Sequence, residues 1–161
     1  MTRVLVVDND PLVSGLVAVL MEVDLAAEVK RARTGALAAQ AIEGGAFDLA
    51  IIDVLMPEIS GLVLAERAAN RNIPALLCTG HPDALAQLRI HGYPHLAKPF
   101  NAFELIHEAA KAITATAENI SRVKASAAKL QATALGLMSA IEDSRRLVEQ
   151  SKALLARRPV P

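Results

Sequence analysis

The chain is short of aromatic residues: its 161 positions hold no tryptophan, one tyrosine and three phenylalanines. That shortage weakens any function built on stacking bases over aromatic platforms. It also means that a hydrophobic content of 53% must be spent on an aliphatic core of Val, Leu, Ile and Ala. Cysteine is as scarce. Cys78 stands alone, so no intrachain disulfide forms, and its neighbours Ala75-Leu76-Leu77 place it as an inert thiol in a buried strand. Charge of one sign is missing too. Seventeen Lys and Arg balance seventeen Asp and Glu. Residues 1–100 carry eight basic against eleven acidic side chains and residues 101–161 nine against six, far below the basic density of a dedicated DNA binder. No apolar run approaches the length of a membrane span, and the first residues lack the basic start, apolar stretch and small-residue cleavage site of a secretory signal. The expectation is a cytoplasmic protein with neither membrane nor nucleic acid as a partner.

What is present is an alternation of short apolar runs with amphipathic stretches, up to about Lys98. Arg3-Val4-Leu5-Val6-Val7 predicts a strand buried on both faces. Pro11–Val23 has Leu12, Leu16, Val19, Leu20 and Val23 at helical spacing, with Pro11 suited to the first turn and Asp10 to the cap. A weaker strand is expected over Glu28–Ala32, then a helix capped by Thr34 and ending at Gly44-Gly45. Phe47–Asp53 is the clearest buried strand and closes on a carboxylate. A loop over Val54–Ser60, a helix over Gly61–Asn70, a strand over Ile73–Cys78, a short helix over Asp83–His91 and a short strand over His95–Ala97 follow. Five strands alternating with helices imply parallel pairing with right-handed crossovers. Such a sheet binds ligands beyond the carboxyl ends of its strands. The residues standing there are Asp8, Asn9, Asp10, Asp53, Thr79 and Lys98.

From Asn101 the character changes. Proline is absent until Pro159, Gly136 is the only glycine, and alanine is abundant, which favours helix. Ile113, Ile120, Ala127, Ala134, Ile141, Val148 and Leu155 recur every seventh residue, with Val123, Leu130 and Leu137 as a second row. That heptad spacing predicts a helical extension over residues 116–161 following a domain over 1–115. Gly136 leaves one long helix and a helical hairpin both open, and the row points to a homodimer through the extension.

The strand-end residues suit one kind of chemistry. Carboxylates of Asp8, Asp53 and Asp10 converging on one cleft would repel one another, and a hard cation such as Mg²⁺ relieves that through oxygen ligation. Lys98 adds a mobile positive charge and Thr79 a hydroxyl. A carboxylate nucleophile, a metal, an ammonium and a hydroxyl fit phosphoryl transfer.

Four segments carry a resemblance: Val4-Leu5-Val6-Val7-Asp8-Asn9-Asp10-Pro11, Asp48–Gly61 with its Asp53-Val54-Leu55-Met56-Pro57 and Gly61, Leu77-Cys78-Thr79-Gly80, and Leu96-Ala97-Lys98-Pro99-Phe100. In this order and spacing, over residues 3 to roughly 115, the chain resembles the receiver domain of two-component response regulators. The resemblance implies a flavodoxin-like (βα)5 fold, a doubly wound parallel sheet of strand order 2-1-3-4-5. It implies Asp53 as phosphoacceptor, Mg²⁺ held near Asp8, Asn9, Asp53 and the Leu55 carbonyl with Asp10 a further candidate, and Thr79 and Lys98 binding the phosphoryl group. It implies a cis peptide before Pro99, and a phosphohistidine donor on a sensor histidine kinase or phosphotransfer protein.

Two positions depart from the family pattern. Asn9 stands where the family usually has a second acid, which removes a negative charge from the metal cluster. His95 stands where a switching Tyr or Phe is usual, which brings pH sensitivity near neutrality. No helix-turn-helix pattern, second catalytic cluster or Gly-rich phosphate loop is visible in residues 101–161. The expected output is therefore protein contact without a DNA-binding domain, and no enzymatic turnover beyond the acceptor's own phosphorylation and dephosphorylation. Two other readings stay open. Asn9 allows a scaffold that no longer takes phosphate. Asp8 and Asp10 also resemble the Asp-x-Asp of haloacid-dehalogenase-type phosphatases, though no later acidic pair accompanies them and Asp53 is left unexplained. Each site residue has a plainer role beside its chemical one: Asp53 as a turn residue, Thr79 and Asp10 as helix caps, Lys98 as surface charge, His95 as a packed side chain. His107 reads as a surface residue of the fifth helix.

Overall fold

The computed structural model describes residues 1–116 and 142–149. Five strands, β1 (Arg3–Val7), β2 (Glu28–Ala32), β3 (Leu49–Asp53), β4 (Ala75–Thr79) and β5 (His95–Ala97), form one sheet in the order β2-β1-β3-β4-β5. Every pairing is parallel. The helices are α1 (Pro11–Asp24), α2 (Gly35–Gly44), α3 (Gly61–Asn70) and α4 (Pro82–Ile90), then α5 over residues 102–116. This is the parallel sheet that the alternation of runs predicts, in the flavodoxin-like strand order that the resemblance implies. Residues 142–149 are helical and exposed. The heptad positions between 117 and 141 and beyond 149 lie outside the described residues. Ile113, the first member of the heptad row, packs against the domain's own core.

The sheet is covered on both faces. Val4, Val6, Leu49 and Leu76 meet α1 and α5 through Met21 and Leu105. Leu5, Ala50, Ile52 and Leu77 meet α2, α3 and α4 through Ile42, Leu64 and Leu88. Alternation of side chains along each strand accounts for the split, and both faces being buried explains why the central strands read as unbroken apolar runs. β2 is an edge strand, mostly exposed, which is why its pattern is weak.

Local sequence sets the helix starts. Asp10 caps α1, its Oδ1 accepting from the Leu12 and Val13 N–H groups at 2.8 and 3.4 Å. Thr34 and Ser60 cap α2 and α3 in the same way. The cap position before α4 is His81, which makes no side-chain cap. β3 starts two residues later than expected, because Asp48 is used elsewhere: its carboxylate accepts the Arg3 N–H at 2.7 Å. The apolar spacing of α1 identifies the helix but not its buried face. Ser14, Val17, Ala18 and Met21 turn inward, while Leu12, Leu16, Val19 and Val23 face outward.

Candidate functional site

The parallel sheet brings the carboxyl ends of β1, β3, β4 and β5 to one edge, where Asp8, Asp53, Thr79 and Lys98 meet. Asp8 and Thr79 are buried. Lys98 Nζ donates to Asp8 Oδ2 at 2.7 Å and to Asp53 Oδ2 at 3.1 Å, so one ammonium bridges carboxylates from two strands. The remaining oxygens also have partners. Asp8 Oδ1 accepts from the Asp10 N–H at 2.8 Å, and Asp53 Oδ1 from the Leu55 N–H at 3.2 Å. Burial pulls the Lys98 amine down, but its hydrogen bonds to Asp8 and Asp53 outweigh that and hold it above its ordinary value.

The backbone fixes this grouping. The Lys98 N–H donates to the Thr79 carbonyl at 2.9 Å and the Val54 N–H to the Cys78 carbonyl at 2.9 Å, tying the ends of β3, β4 and β5 together. The Lys98-Pro99 peptide is cis. Gly61 has its own reason to be glycine: the Gly61 N–H donates to the Val54 carbonyl at 3.0 Å, and a Cβ there would run into the Asp53 carbonyl and the Val54 Cα. The Met-Pro-x-x-x-Gly spacing therefore folds the loop back beneath the acidic strand end.

Thr79 accepts the His81 N–H at 3.1 Å through Oγ1, shaping the turn ahead of α4, while the cap position itself is His81. Its hydroxyl proton is not spent by that bond. Asn9 is exposed, next to Asp8. Asp10 is committed on one oxygen to capping α1. His95 is half-buried, with Nδ1 2.7 Å from the Tyr93 carbonyl, and lines a cleft of about 280 Å³ with Arg89 and His107. The His107 ring stacks on Phe103, 6.1 Å between centroids, a pairing that the spacing of α5 did not single out. Cys78 was expected to be buried and inert, and burial pushes its thiol up to about 12. Nothing in its local sequence places it beside the site. The register that pairs it with Asp53 is the signal that does.

Among the described residues no three His, Cys, Asp or Glu side chains gather as metal ligands. The donors that the structure brings together at this edge are the carboxylate oxygens of Asp8 and Asp53; the Leu55 carbonyl and the exposed Asn9 are neighbours of these in sequence. With one ammonium against two carboxylates, the group keeps a negative charge. That suits Mg²⁺, which prefers oxygen, is commonly held by one or two carboxylates and keeps several waters.

The model of the response regulator receiver domain matches residues 4–110. The chain belongs to this family. The receiver is 31% identical over 108 residues to the transcriptional regulatory protein TcrA of Mycobacterium tuberculosis, a match covering 64% of this chain and 42% of TcrA. It is 30% identical over 120 residues to the DNA-binding dual master transcriptional regulator RpaA of Synechocystis, covering 66% of this chain and 46% of RpaA. The chain thus spans less than half the length of these curated relatives. Among solved structures, a response regulator from Chloroflexus aurantiacus superposes with a TM-score of 0.62 at 30% identity, covering 70% of this chain and 98% of that one. A CheY-like receiver from Methanospirillum hungatei shares the fold, with a TM-score of 0.66 at 22% identity, covering 74% and 98%. Receivers as a family bind Mg²⁺ and exchange phosphoryl groups with histidine kinases or phosphotransfer proteins. No helix among the described residues is long and apolar enough to cross a membrane.

Proposed function

We propose that Asp53 accepts a phosphoryl group from a phosphohistidine and that the receiver signals through the protein contacts this changes, in the cytoplasm. The observation that carries the reading is the Lys98 ammonium held between Asp8 and Asp53. An oxygen of Asp53 attacks phosphorus, the phosphorus–nitrogen bond breaks, and the imidazole leaves with the bonding pair. Lys98 then has a dianionic phosphoryl group on Asp53 to follow, and it neutralises the charge that develops on the transferring oxygens. Thr79 offers its free hydroxyl proton to the same group. Asp8, Asp53 and the Leu55 carbonyl would hold Mg²⁺, which would supply the remaining positive charge. Asn9 gives that cation a neutral oxygen in place of a carboxylate, which weakens its binding. His95, which lines the cleft with Arg89 and His107, stands where the family usually has a switching aromatic. The chain does no other turnover than gain and loss of this acyl phosphate. Output runs through contact with a partner protein.

The experiment is incubation of the full chain with Mg²⁺ and acetyl phosphate, followed by intact mass. A single phosphoryl adduct that disappears in Asp53→Asn and weakens in Asp8→Asn is expected. Lack of any adduct at saturating Mg²⁺ would instead favour a scaffold that takes no phosphate. The phosphatase reading is disfavoured by Asp10, whose carboxylate caps α1 where general acid catalysis would need it in the cleft.

A further inference from the structure

Arg31, on the exposed edge strand β2, has no place in the chemistry above. In register it pairs with Val6 of β1, and its side chain reaches the first turn of α1. There it donates to the Ser14 hydroxyl at 2.8 Å and to the Pro11 carbonyl at 3.0 Å, both through one guanidinium nitrogen. Ser14 is fully buried, a polar side chain on the packed face of the helix. The guanidinium lies over Gly15, 3.8 Å from where a Cβ would stand, in space that a longer side chain there would contest.

The next residue of the same strand holds the other end of the same segment. The Asp8 N–H donates to the Ala32 carbonyl at 3.3 Å. The loop Asp8-Asn9-Asp10 thus runs between two anchors on β2, a backbone carbonyl at its start and the Arg31 side chain just past its end. Within the loop the Asp10 N–H donates to Asp8 Oδ1 at 2.8 Å, and Asp10 caps the helix turn that Arg31 holds. A shift of that turn therefore acts on the Asp8 carboxylate through the Asp10 N–H. Asn9 makes the anchoring matter more. A carboxylate is drawn to a divalent cation by its charge. A neutral amide is drawn less strongly, so its contribution depends on the loop being in place before the cation arrives.

We propose that Arg31 is a positioning residue for the cation site: by clamping the first turn of α1 to β2, it fixes the loop that presents Asp8 and Asn9 to Mg²⁺. The clamp serves the Mg²⁺ and phosphoryl site proposed above and stands on that reading. It works against its own charge. A guanidinium near the loop repels a divalent cation, so its removal tightens binding if charge is all that it contributes. Loss of the clamp weakens binding instead. The two effects have opposite signs. The clamp prevails, because Arg31 is exposed and its charge is screened by salt, while its hydrogen bonds reach a buried hydroxyl.

The test is isothermal titration of Mg²⁺ into the full chain at fixed ionic strength, without a phosphodonor, with urea denaturation to verify the fold of each variant. Arg31→Met keeps an unbranched apolar stem and loses charge and donors. Its dissociation constant for Mg²⁺ is expected to rise about fivefold, the equivalent of one hydrogen bond, with the number of sites unchanged. Ser14→Ala removes one acceptor of the clamp and is expected to raise the constant about twofold. Added to Arg31→Met it is expected to change nothing further, because its partner is already gone. With acetyl phosphate as donor, the Mg²⁺ concentration giving half-maximal phosphorylation rate should shift by the same factor, while the rate at saturating Mg²⁺ stays that of the wild type. An Arg31→Met protein that binds Mg²⁺ as tightly as the wild type, or more tightly, overturns the proposal. Additive weakening in the double variant overturns it as well, since the two residues then act apart. Fewer sites at an unchanged dissociation constant mark a role in folding alone and also overturn it. A wild type that binds no Mg²⁺ takes the reading of the site down with the clamp, whereas the other adverse outcomes leave that reading standing.

Discussion

Removing the Lys98 ammonium is the sharpest perturbation of the site. In Lys98→Met, Asp8 and Asp53 keep their charges but lose the cation held 2.7 and 3.1 Å away. At an effective dielectric of about 20, a unit pair near 3 Å attracts by about 5 kcal/mol. Desolvation of a largely covered ammonium returns much of that, and the measured cost of removing one partner from a buried pair is about 3–5 kcal/mol. Asp8 keeps its bond from the Asp10 N–H and Asp53 its bond from the Leu55 N–H, which softens the loss. The expected destabilisation is therefore about 2–3 kcal/mol at pH 7 without Mg²⁺. Two controls separate charge from packing. Adding Asp8→Asn to Lys98→Met removes the uncompensated repulsion and is expected to restore most of the stability, as is Mg²⁺ added to the single variant. With no tryptophan to report unfolding, the assay is urea denaturation followed by circular dichroism. A Lys98→Met protein as stable as the wild type, unmoved by Asp8→Asn, would refute the idea that the two carboxylates share one low-dielectric pocket.

Other outcomes follow from the same geometry. Gly61→Ala places a methyl group against the Asp53 carbonyl and is expected to cost about 3 kcal/mol in urea denaturation, with phosphoryl uptake from acetyl phosphate lost in the fraction that folds. Cys78 has its pKa raised in the fold, so its contribution is complete below the unfolded value and is lost as pH rises toward the folded one. Between pH 9 and 10 the wild type should therefore lose about 1 kcal/mol more stability than Cys78→Ala, read as the difference between their denaturation curves. Met21→Ala hollows the face beneath α1 and α5 and should cost about 2–5 kcal/mol while leaving the phosphorylated residue unchanged.

The elements were legible because each follows a local rule. Pro11 and Asp10 mark the start of α1, and Val4–Val7 and Leu49–Ile52 read as buried strands since both sheet faces are covered. The candidate site was legible as a set of strand-end residues, since a parallel sheet gathers those ends. What the sequence does not carry is which atoms meet. Lys98 and Asp8 are 90 positions apart, and only the β1-β3-β4-β5 order brings them into hydrogen-bond range. The buried face of α1 was illegible for a different reason. Its outer stripe is more apolar than the inner one, where Ser14 and Ala18 do the packing, so periodicity alone points the wrong way. Arg31 gave no signal at all, because its partners Ser14 and the Pro11 carbonyl come from a neighbouring element.

The account rests on Asp53 as the residue that bears phosphate. Treating the Mg²⁺- and acetyl-phosphate-incubated protein with borohydride reduces an aspartyl phosphate to homoserine, and tandem mass spectrometry of its peptides then reads the position. Homoserine at position 53 alone is the predicted result. Homoserine at position 8, or phosphate retained after Asp53→Asn, would contradict it.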